Sequence, residues 1–387
     1  MSVSIRPPDV VPTSEIVTRV APILRGLLAQ PTGDDDHPYR PVILKSHANA
    51  EALSLEKVRG TLLGLEPLRS HETDEELRTR MASALATYKA AHHASPEFIA
   101  LPEAVVFQVV NPVPAPSHDP RLAGRVAVVT GAAGAIGYGI CRGLLAKGAH
   151  VAITDLPGEK LDQFVSEFQT NDGARTIGVP MDVTDGASVA RAFAQVIACW
   201  GGIDIVVLNA GIAMACPLIE TDLEAFRRLE RVNVEGTLLV LAEAGRQLAR
   251  QNVGGDVVLI SSKNVYAPGA GFGAYSATKA AAHQLTRIAS LEFAPLRVRV
   301  NMVAPDAVFS GGTHKSGLWA EVGPGRMKAR GLDEKGLEDY YRNRNLLKAK
   351  VTAEHVANAV LFFALRQTPT TGACIPVDGG LPDATPR

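Results

Sequence analysis

The sequence predicts an α/β protein, a doubly wound parallel sheet preceded by a small N-terminal α+β extension. Three observations carry that expectation. From about residue 121 onward, short runs rich in Val and Ile (RVAVVT, HVAITD, TIGVPMDV, DIVVLNA, DVVLISS, VRVNMVA, CIPVD) alternate with helix-length stretches such as Gly137 to Lys147 and Leu223 to Gln251. Nearly continuous apolar strands separated by helices belong to a parallel sheet covered on both faces. Proline divides the chain, since fourteen of the 25 prolines lie in the first 120 residues and the last cluster, NPVPAPSHDP, reads as a stiff linker. Finally, 387 residues exceed one typical domain of roughly 100–200 residues. We therefore expect an extension over 1–111, a linker over 112–120 and a main domain over 121–387.

Within the extension, residues 14–29 read as a helix with Ile16, Val20, Leu24 and Leu27 on one face, bent by Pro22. PVILK (41–45) and VVFQVV (105–110) are candidate strands. A second helix spans about 74–93. Thr73 and Glu76 have capping-box spacing, and Leu77, Met81, Leu85 and Tyr88 form an apolar stripe whose ordinary role is packing.

Composition narrows the function classes. Lys+Arg 39 against Asp+Glu 40 leaves a net charge of -1, which offers no field for nucleic acid or an anionic membrane. A hydrophobic share of 46% is enough for a substantial core. Cys141, Cys199, Cys216 and Cys374 are scattered without a CxxC pair, and His37, His47, His71, His92 and His93 are dispersed. That pattern predicts no metal centre, no disulfide framework and a reducing compartment. The start of the chain lacks the apolar core of a signal peptide, and no run nears about 18 apolar residues. The expectation is a cytoplasmic protein with a small-molecule substrate, forming a homo-oligomer (dimer or tetramer).

The first strand of the main domain runs through TGAAGAIG (130–137) directly into a helix. Small residues there let the backbone approach a pyrophosphate, which sits on the amide-rich helix N-terminus. Its place after the first strand of a βαβ unit makes this glycine loop far more specific than a glycine-rich turn alone. The second strand ends at Asp155, eighteen residues beyond Gly137. A carboxylate there can accept both ribose hydroxyls of NAD. It would repel the 2′-phosphate of NADP by roughly 4 kcal/mol at most, for unit charges about 4 Å apart at an effective dielectric near 20. NAD is the expected cofactor.

Tyr275-Ser-Ala-Thr-Lys279 places a phenol and an ammonium one helical turn apart on the same face. An ordinary tyrosine, with a pKa of about 10, is a poor base at neutral pH. A nearby cation favours the phenolate, so Tyr275 could take a proton from a substrate hydroxyl as hydride leaves for the nicotinamide. Ser262, thirteen residues upstream at the end of a strand, can hydrogen-bond the same oxygen. Asn233, within RVNVEGT, is an amide that could hold a water on a proton path to Lys279.

TGAAGAIG, Asp155, LNAG (208–211), Asn233, Ser262, YSATK and VDGG (377–380) resemble, in order and spacing, the short-chain dehydrogenase/reductase family over about 121–382. The resemblance implies a Rossmann-type fold and a catalytic tetrad of Asn233, Ser262, Tyr275 and Lys279. It implies a cofactor lined by Gly131, Gly134, Ile136, Gly137, Asp155, Asp182, Val183, Asn209, Ala210, Tyr275, Lys279 and Val308. Two positions depart from the family pattern. Ala135 replaces the glycine before the final Ile-Gly, and Pro305-Asp306 replaces the usual Pro-Gly after the sixth strand. Longer stretches, among them SSKNVYAPGAGFGAYSATKAA and YYRNRNLLKAKVTAEHV, look like the dehydrogenase half of bifunctional rhamnulose-1-phosphate aldolase/alcohol dehydrogenases. On that likeness residues 1–111 are an aldolase-domain remnant serving packing or oligomerisation.

The substrate region is expected between Pro305 and about Lys348. It holds Asp306, Ser310, Thr313, His314, Lys315, Arg342, Arg344 and Asn345, with Trp319, Tyr340 and Tyr341. That mixture suits a small, polar, hydroxylated molecule: a sugar, polyol, cyclitol or hydroxy-aldehyde. Lys263, next to Ser262, could meet an anionic or polyhydroxy group. The alternative is a catalytically silent NAD-binding scaffold or regulatory protein that keeps the fold.

Overall fold

A computed structural model describes residues 15–48, 61–69, 71–102, 104–111, 120–311 and 313–384. The proline cluster over 112–119 lies outside the described residues. The N-terminal segment opens with α1 (Glu15–Leu28), which Pro22 does not terminate. Its buried face is Val17, Val20, Ala21, Ile23, Leu24 and Leu28, while Ile16 and Leu27 of the expected face are half-buried. Then follow β1 (Ile43–Ala48), β2 (Leu62–Gly64), α2 (Asp74–His92), β3 (Phe98–Leu101) and β4 (Val105–Val110). The first strand begins two residues later than the sequence suggested, past Pro41, which has no N–H to give a ladder. The capping box of α2 is present: Glu76 N donates to Thr73 Oγ1 (3.2 Å) and Thr73 N to Glu76 Oε2 (2.8 Å). Leu77, Met81, Leu85 and Tyr88 are its buried residues. The sheet has order β1-β4-β3-β2, antiparallel except for the β2–β3 pair.

The main domain contains all seven expected strands, with helices between them: β5 (Val126–Val129), α3 (Ala135–Ala146), β6 (His150–Asp155), α4 (Glu159–Asp172), β7 (Thr176–Pro180), α5 (Gly186–Trp200) and β8 (Ile205–Leu208). The stretch expected as one helix from Leu223 to Gln251 is three pieces. These are α6 (Leu223–Glu230), a π-helical turn (Arg231–Glu235) and α7 (Gly236–Gln251). Next come β9 (Gly255–Ile260), α8 (Gly273–Glu292), β10 (Val298–Pro305), α9 (Gly317–Arg330), α10 (Glu334–Arg344), α11 (Ala353–Ala364) and β11 (Cys374–Val377). The sheet runs β11-β10-β9-β8-β5-β6-β7, with every pair parallel. Apolar clusters on both faces explain why its strands are nearly uninterrupted Val and Ile.

The N-terminal segment is built into this domain. Ile43 belongs to the apolar core on one face of the large sheet, and Ile197 and Ala198 of α5 belong to the core of the extension. Helix α1 lies so close to α7 that a Cβ on Gly26 would stand 1.9 Å from Gln251 O. At the N-terminal edge of the strands, Arg25 is fully buried and all five of its donors are engaged. Its Nε reaches Val42 O (2.8 Å), Nη1 reaches Asp204 Oδ1 (3.1 Å) and Gln251 Oε1 (2.9 Å), and Nη2 reaches Asp204 Oδ2 (2.7 Å) and Gly124 O (2.9 Å). Burial pushes the Asp204 carboxyl up, but Arg25 and Arg125 outweigh it and hold it below the usual carboxylate range.

Candidate active site

At the opposite, C-terminal edge of the same strands lies a cavity of about 740 Å³. The switch in strand order beside β5 opens a crevice there, where ligands of doubly wound sheets sit. All twelve positions expected to line a cofactor do line it: Gly131, Gly134, Ile136, Gly137, Asp155, Asp182, Val183, Asn209, Ala210, Tyr275, Lys279 and Val308. Gly131 has φ +57°, and a Cβ on it would lie 2.6 Å from Ala210 Cα. On Gly137 a Cβ would lie 2.2 Å from Ala132 O, so the loop must be bare there to fold against its helix. Gly134 differs, because a Cβ would meet only Gly131 O at 3.9 Å. That open space, at the N-cap of α3, fits a pyrophosphate. Ala135, the first residue of α3, is buried and also lines the cavity.

The loop is braced from β8. Asn209 Nδ2 donates to Thr130 O (3.0 Å) and Gly131 O (2.7 Å), while Asn209 N and Ala210 N both donate to Thr130 Oγ1 (3.0 Å). Thr130, the first residue of TGAAGAIG, thus ties the loop to the end of β8. Asp155 accepts from Ala133 N (2.9 Å) and Leu156 N (2.8 Å), which fixes its carboxylate beside the glycine loop.

Ser262, Tyr275 and Lys279 all line this cavity. Tyr275 is buried, and the nearby Ser262 hydroxyl favours its phenolate. Burial outweighs this and drives its pKa up to about 12, and burial drives Lys279 down to about 8. This differs from the depression of Tyr275 expected from Lys279. The ammonium donates to Ile260 O (3.0 Å), and loss of solvent outweighs the helical spacing.

Asn233 does not line the cavity. It sits in the π-helical turn, its Oδ1 accepting from Ile212 N (3.0 Å) and its Nδ2 donating to Ile212 O (2.9 Å) and Thr278 Oγ1 (3.0 Å). Both amide N–H groups are therefore committed. Thr278 in turn donates to Tyr275 O (3.0 Å), so Asn233 braces the helix that carries the phenol. Across the bare Gly211, Asn233 Oδ1 and Lys279 Nζ each lie 3.2 Å from where a Cβ would be.

Of the expected substrate residues, Asp306, Trp319, Tyr341 and Arg344 reach the cavity. Among those that do not, His314 pairs with Glu167, Lys315 with Glu334 and Arg342 with Asp339, Tyr340 stacks on Arg330, and Asn345 bonds the Ala349 backbone. Arg326 and Phe272 line it without having been singled out. Trp319, Val322 and Arg326 recur on one face of α9, a spacing that could have shown which residues turn inward. Asp306, where the family has glycine, accepts from Arg344 Nη2 through both oxygens (2.6 Å each) and so ties α10 to the end of β10. The positive φ falls on the next residue, Ala307 (41°).

A family model for short chain dehydrogenases matches residues 125–321. The oxidoreductase YuxG of Bacillus subtilis is 39% identical over 265 residues, which are 68% of this chain and 38% of that protein. Human L-xylulose reductase is 33% identical over 260 residues, 67% of this chain and 97% of its own. The structure of sorbitol-6-phosphate 2-dehydrogenase from Erwinia amylovora matches with a TM-score of 0.61 at 28% identity, covering 66% of this chain and 98% of that one. With its seven-stranded parallel sheet and N-terminal extension, this chain belongs to the short-chain dehydrogenase family, oxidoreductases that use a nicotinamide cofactor.

Proposed function

We propose that the protein is an NAD-dependent dehydrogenase that interconverts an alcohol and a carbonyl on a small, polar, hydroxylated substrate. The carrying observation is the meeting of Ser262, Tyr275 and Lys279 with the glycine loop in one cavity. Gly131, Gly134 and the N-terminus of α3 would hold the pyrophosphate, and Asp155 the adenosine ribose. A bound nicotinamide supplies the hydride acceptor and, when oxidised, a positive charge beside the phenol. Tyr275 takes the proton of the substrate hydroxyl, and Ser262 hydrogen-bonds the same oxygen. Lys279, one turn along and lowered to about 8 by burial, passes protons on, while Asn233 positions the helix through Thr278. Two similar proteins carry a sugar or polyol in their names, which supports a hydroxylated substrate. More than half of YuxG lies outside its match, as in a relative with a second part. We place the protein in the cytoplasm and read residues 1–111 as a packing element joined by a linker over 112–120 to the catalytic domain.

The test is NADH formation over a panel of polyols and hydroxy-aldehydes, with Tyr275→Phe alongside. General acid–base catalysis typically contributes about 10²–10⁴-fold, so kcat should fall by that factor while NAD affinity stays nearly unchanged. A variant within a factor of two of the parent removes Tyr275 from this role. Binding of NAD without turnover of any panel member would favour the silent scaffold.

A further inference from the structure

Three cations gather where Ser262 and Tyr275 meet α9 and α10. Lys263 is 9% exposed, and its Nζ donates to Ala267 O (2.8 Å), which leaves two of its three donors unused. Arg326 lies over the Phe272 ring (4.8 Å), itself packed edge-on against Tyr275 (6.2 Å between centroids). Its hydrogen bonds are long, 3.3 Å to Tyr341 Oη and 3.5 Å to Ala270 O, and its Nε is buried with no partner. Arg344 stacks on Tyr341 (4.2 Å) and pairs with Asp306, and its Nε is also buried with no partner.

Among the described residues, Asp306 is the only carboxylate paired with any of the three cations, and it reaches Arg344 alone. Glu321 lines the cavity but is exposed and pairs with none of them. Arg344 and Arg326 add to burial in disfavouring the charged Lys263, with Asp306 and Asp383 opposing.

Arg25 closes all its donors, and Arg366, which keeps Nη2 unpartnered, is neutralised by both oxygens of Asp256; the three cations here share a single carboxylate. A buried donor left unmade costs about 1–3 kcal/mol, and mutual repulsion of the cations adds to that cost. Hydroxyl groups could satisfy the donors but would leave the repulsion. Carboxylate or phosphate oxygens, which only accept, relieve both. The cluster lies about one aromatic ring from Tyr275, so the acidic group belongs several carbons from the reacting one. The unpartnered Oδ1 of Asn264, lining the same cavity, offers an acceptor to an intervening hydroxyl.

We infer that Lys263, Arg326 and Arg344 form an oxyanion subsite, and that the substrate is a hydroxylated chain ending in an acid, a carboxylate or a phosphate ester. This rests on Tyr275 marking the reacting end. Its test is a binding measurement, independent of turnover. The protein loaded with NADH, which cannot accept hydride from an alcohol, is titrated calorimetrically at one ionic strength with sorbitol, gluconate and sorbitol 6-phosphate, in the parent, Arg326→Met and Lys263→Met, and oxidation of the same probes is assayed separately with NAD.

The parent should bind at least one acid about tenfold or more tightly than sorbitol, and whichever acid wins tells carboxylate from phosphate. A hydrogen bond to a charged group is worth about 1.5–3 kcal/mol, so each variant should cut the preference for acid over sorbitol by about 10–100-fold. The subsite is overturned if the parent binds the three alike, if neither acid binds, or if both variants keep the preference. Charge-dependent binding with no oxidation of any probe would leave the subsite standing and remove the dehydrogenase reading. Oxidation without charge preference would do the reverse.

Discussion

The two edges of the parallel sheet bury charge in opposite ways. At the N-terminal edge, Arg25 and Asp204 are fully buried, bidentate and closed, with every guanidinium donor matched to an acceptor. At the C-terminal edge, Lys263, Lys279, Arg326 and Arg344 line a cavity, and all four keep donors without partners. A closed pair holds the extension on the main domain, whereas an open set is strained until something enters. No residue of 15–48, 61–69, 71–102 or 104–111 lines the cavity. Attachment and chemistry are thus separated by the length of the strands.

The sharpest way to break this contrast is Arg25→Met. Removing one partner of a buried pair leaves an uncompensated charge and costs about 3–5 kcal/mol. Arg125 lies 3.5 Å from Asp204 and should soften the loss without replacing five hydrogen bonds. Urea unfolding should show the drop, while KM values of the folded fraction stay near those of the parent. A stability change below about 1 kcal/mol would mean that the closed network does not anchor the extension.

The second prediction uses pH at the open edge. Burial lowers Lys279 to about 8, below its ordinary 10.5. Between those values the unfolded chain holds the proton more tightly, so stability must rise with pH from about 8 to 10.5. The cost of the buried ammonium is fully present below pH 8, and about 2.5 pKa units correspond to roughly 3 kcal/mol. Tyr275, raised to about 12, acts with the opposite sign above pH 10. Lys279→Met should abolish the rise and turnover together, although it also frees Ile260 O. An identical pH–stability curve in parent and variant would show that Lys279 is not an uncompensated charge.

How much of this was legible follows from the range of each interaction. The seven strands of the large sheet announce themselves through apolar runs repeated in alternation with helices. By contrast β2 is exposed at two of its three positions, and β3, four residues like β5, β8 and β11, stands outside any repeating alternation. The glycine loop and the Tyr275–Lys279 pair are local patterns and were readable. The π-helical turn at Asn233 was not, since its register is set by Ile212 and Thr278 from distant segments. The Arg25–Asp204 pair spans 179 positions, and no periodicity encodes a partner so far away. A signal did exist: Arg25 sits on the apolar face of α1 with Ala21, Leu24 and Leu28, where a solvated arginine would be out of place.

Asp155 is the intermediate case and carries the smallest predicted effect. It lines the cavity, yet each oxygen already accepts one backbone N–H, from Ala133 and from Leu156. A carboxylate can accept about four hydrogen bonds, so two acceptor positions remain for a ribose. Its charge would also repel a 2′-phosphate. Asp155→Ser removes the repulsion and part of the ribose anchoring, and it loosens the loop through Ala133. NAD affinity should fall and NADP use rise, narrowing the preference by about 1–3 kcal/mol, roughly one to two powers of ten. Full reversal is not expected. Lys160, on the first turn of α4 and lining the same cavity, offers a point charge without the planar fork that grips phosphate. The measurement is kcat/KM for both cofactors in parent and variant at one ionic strength. Should the parent use NADP as readily as NAD, or the ratio stay fixed, the free acceptors of Asp155 do not meet the ribose, and its place is with the closed groups that only hold the loop.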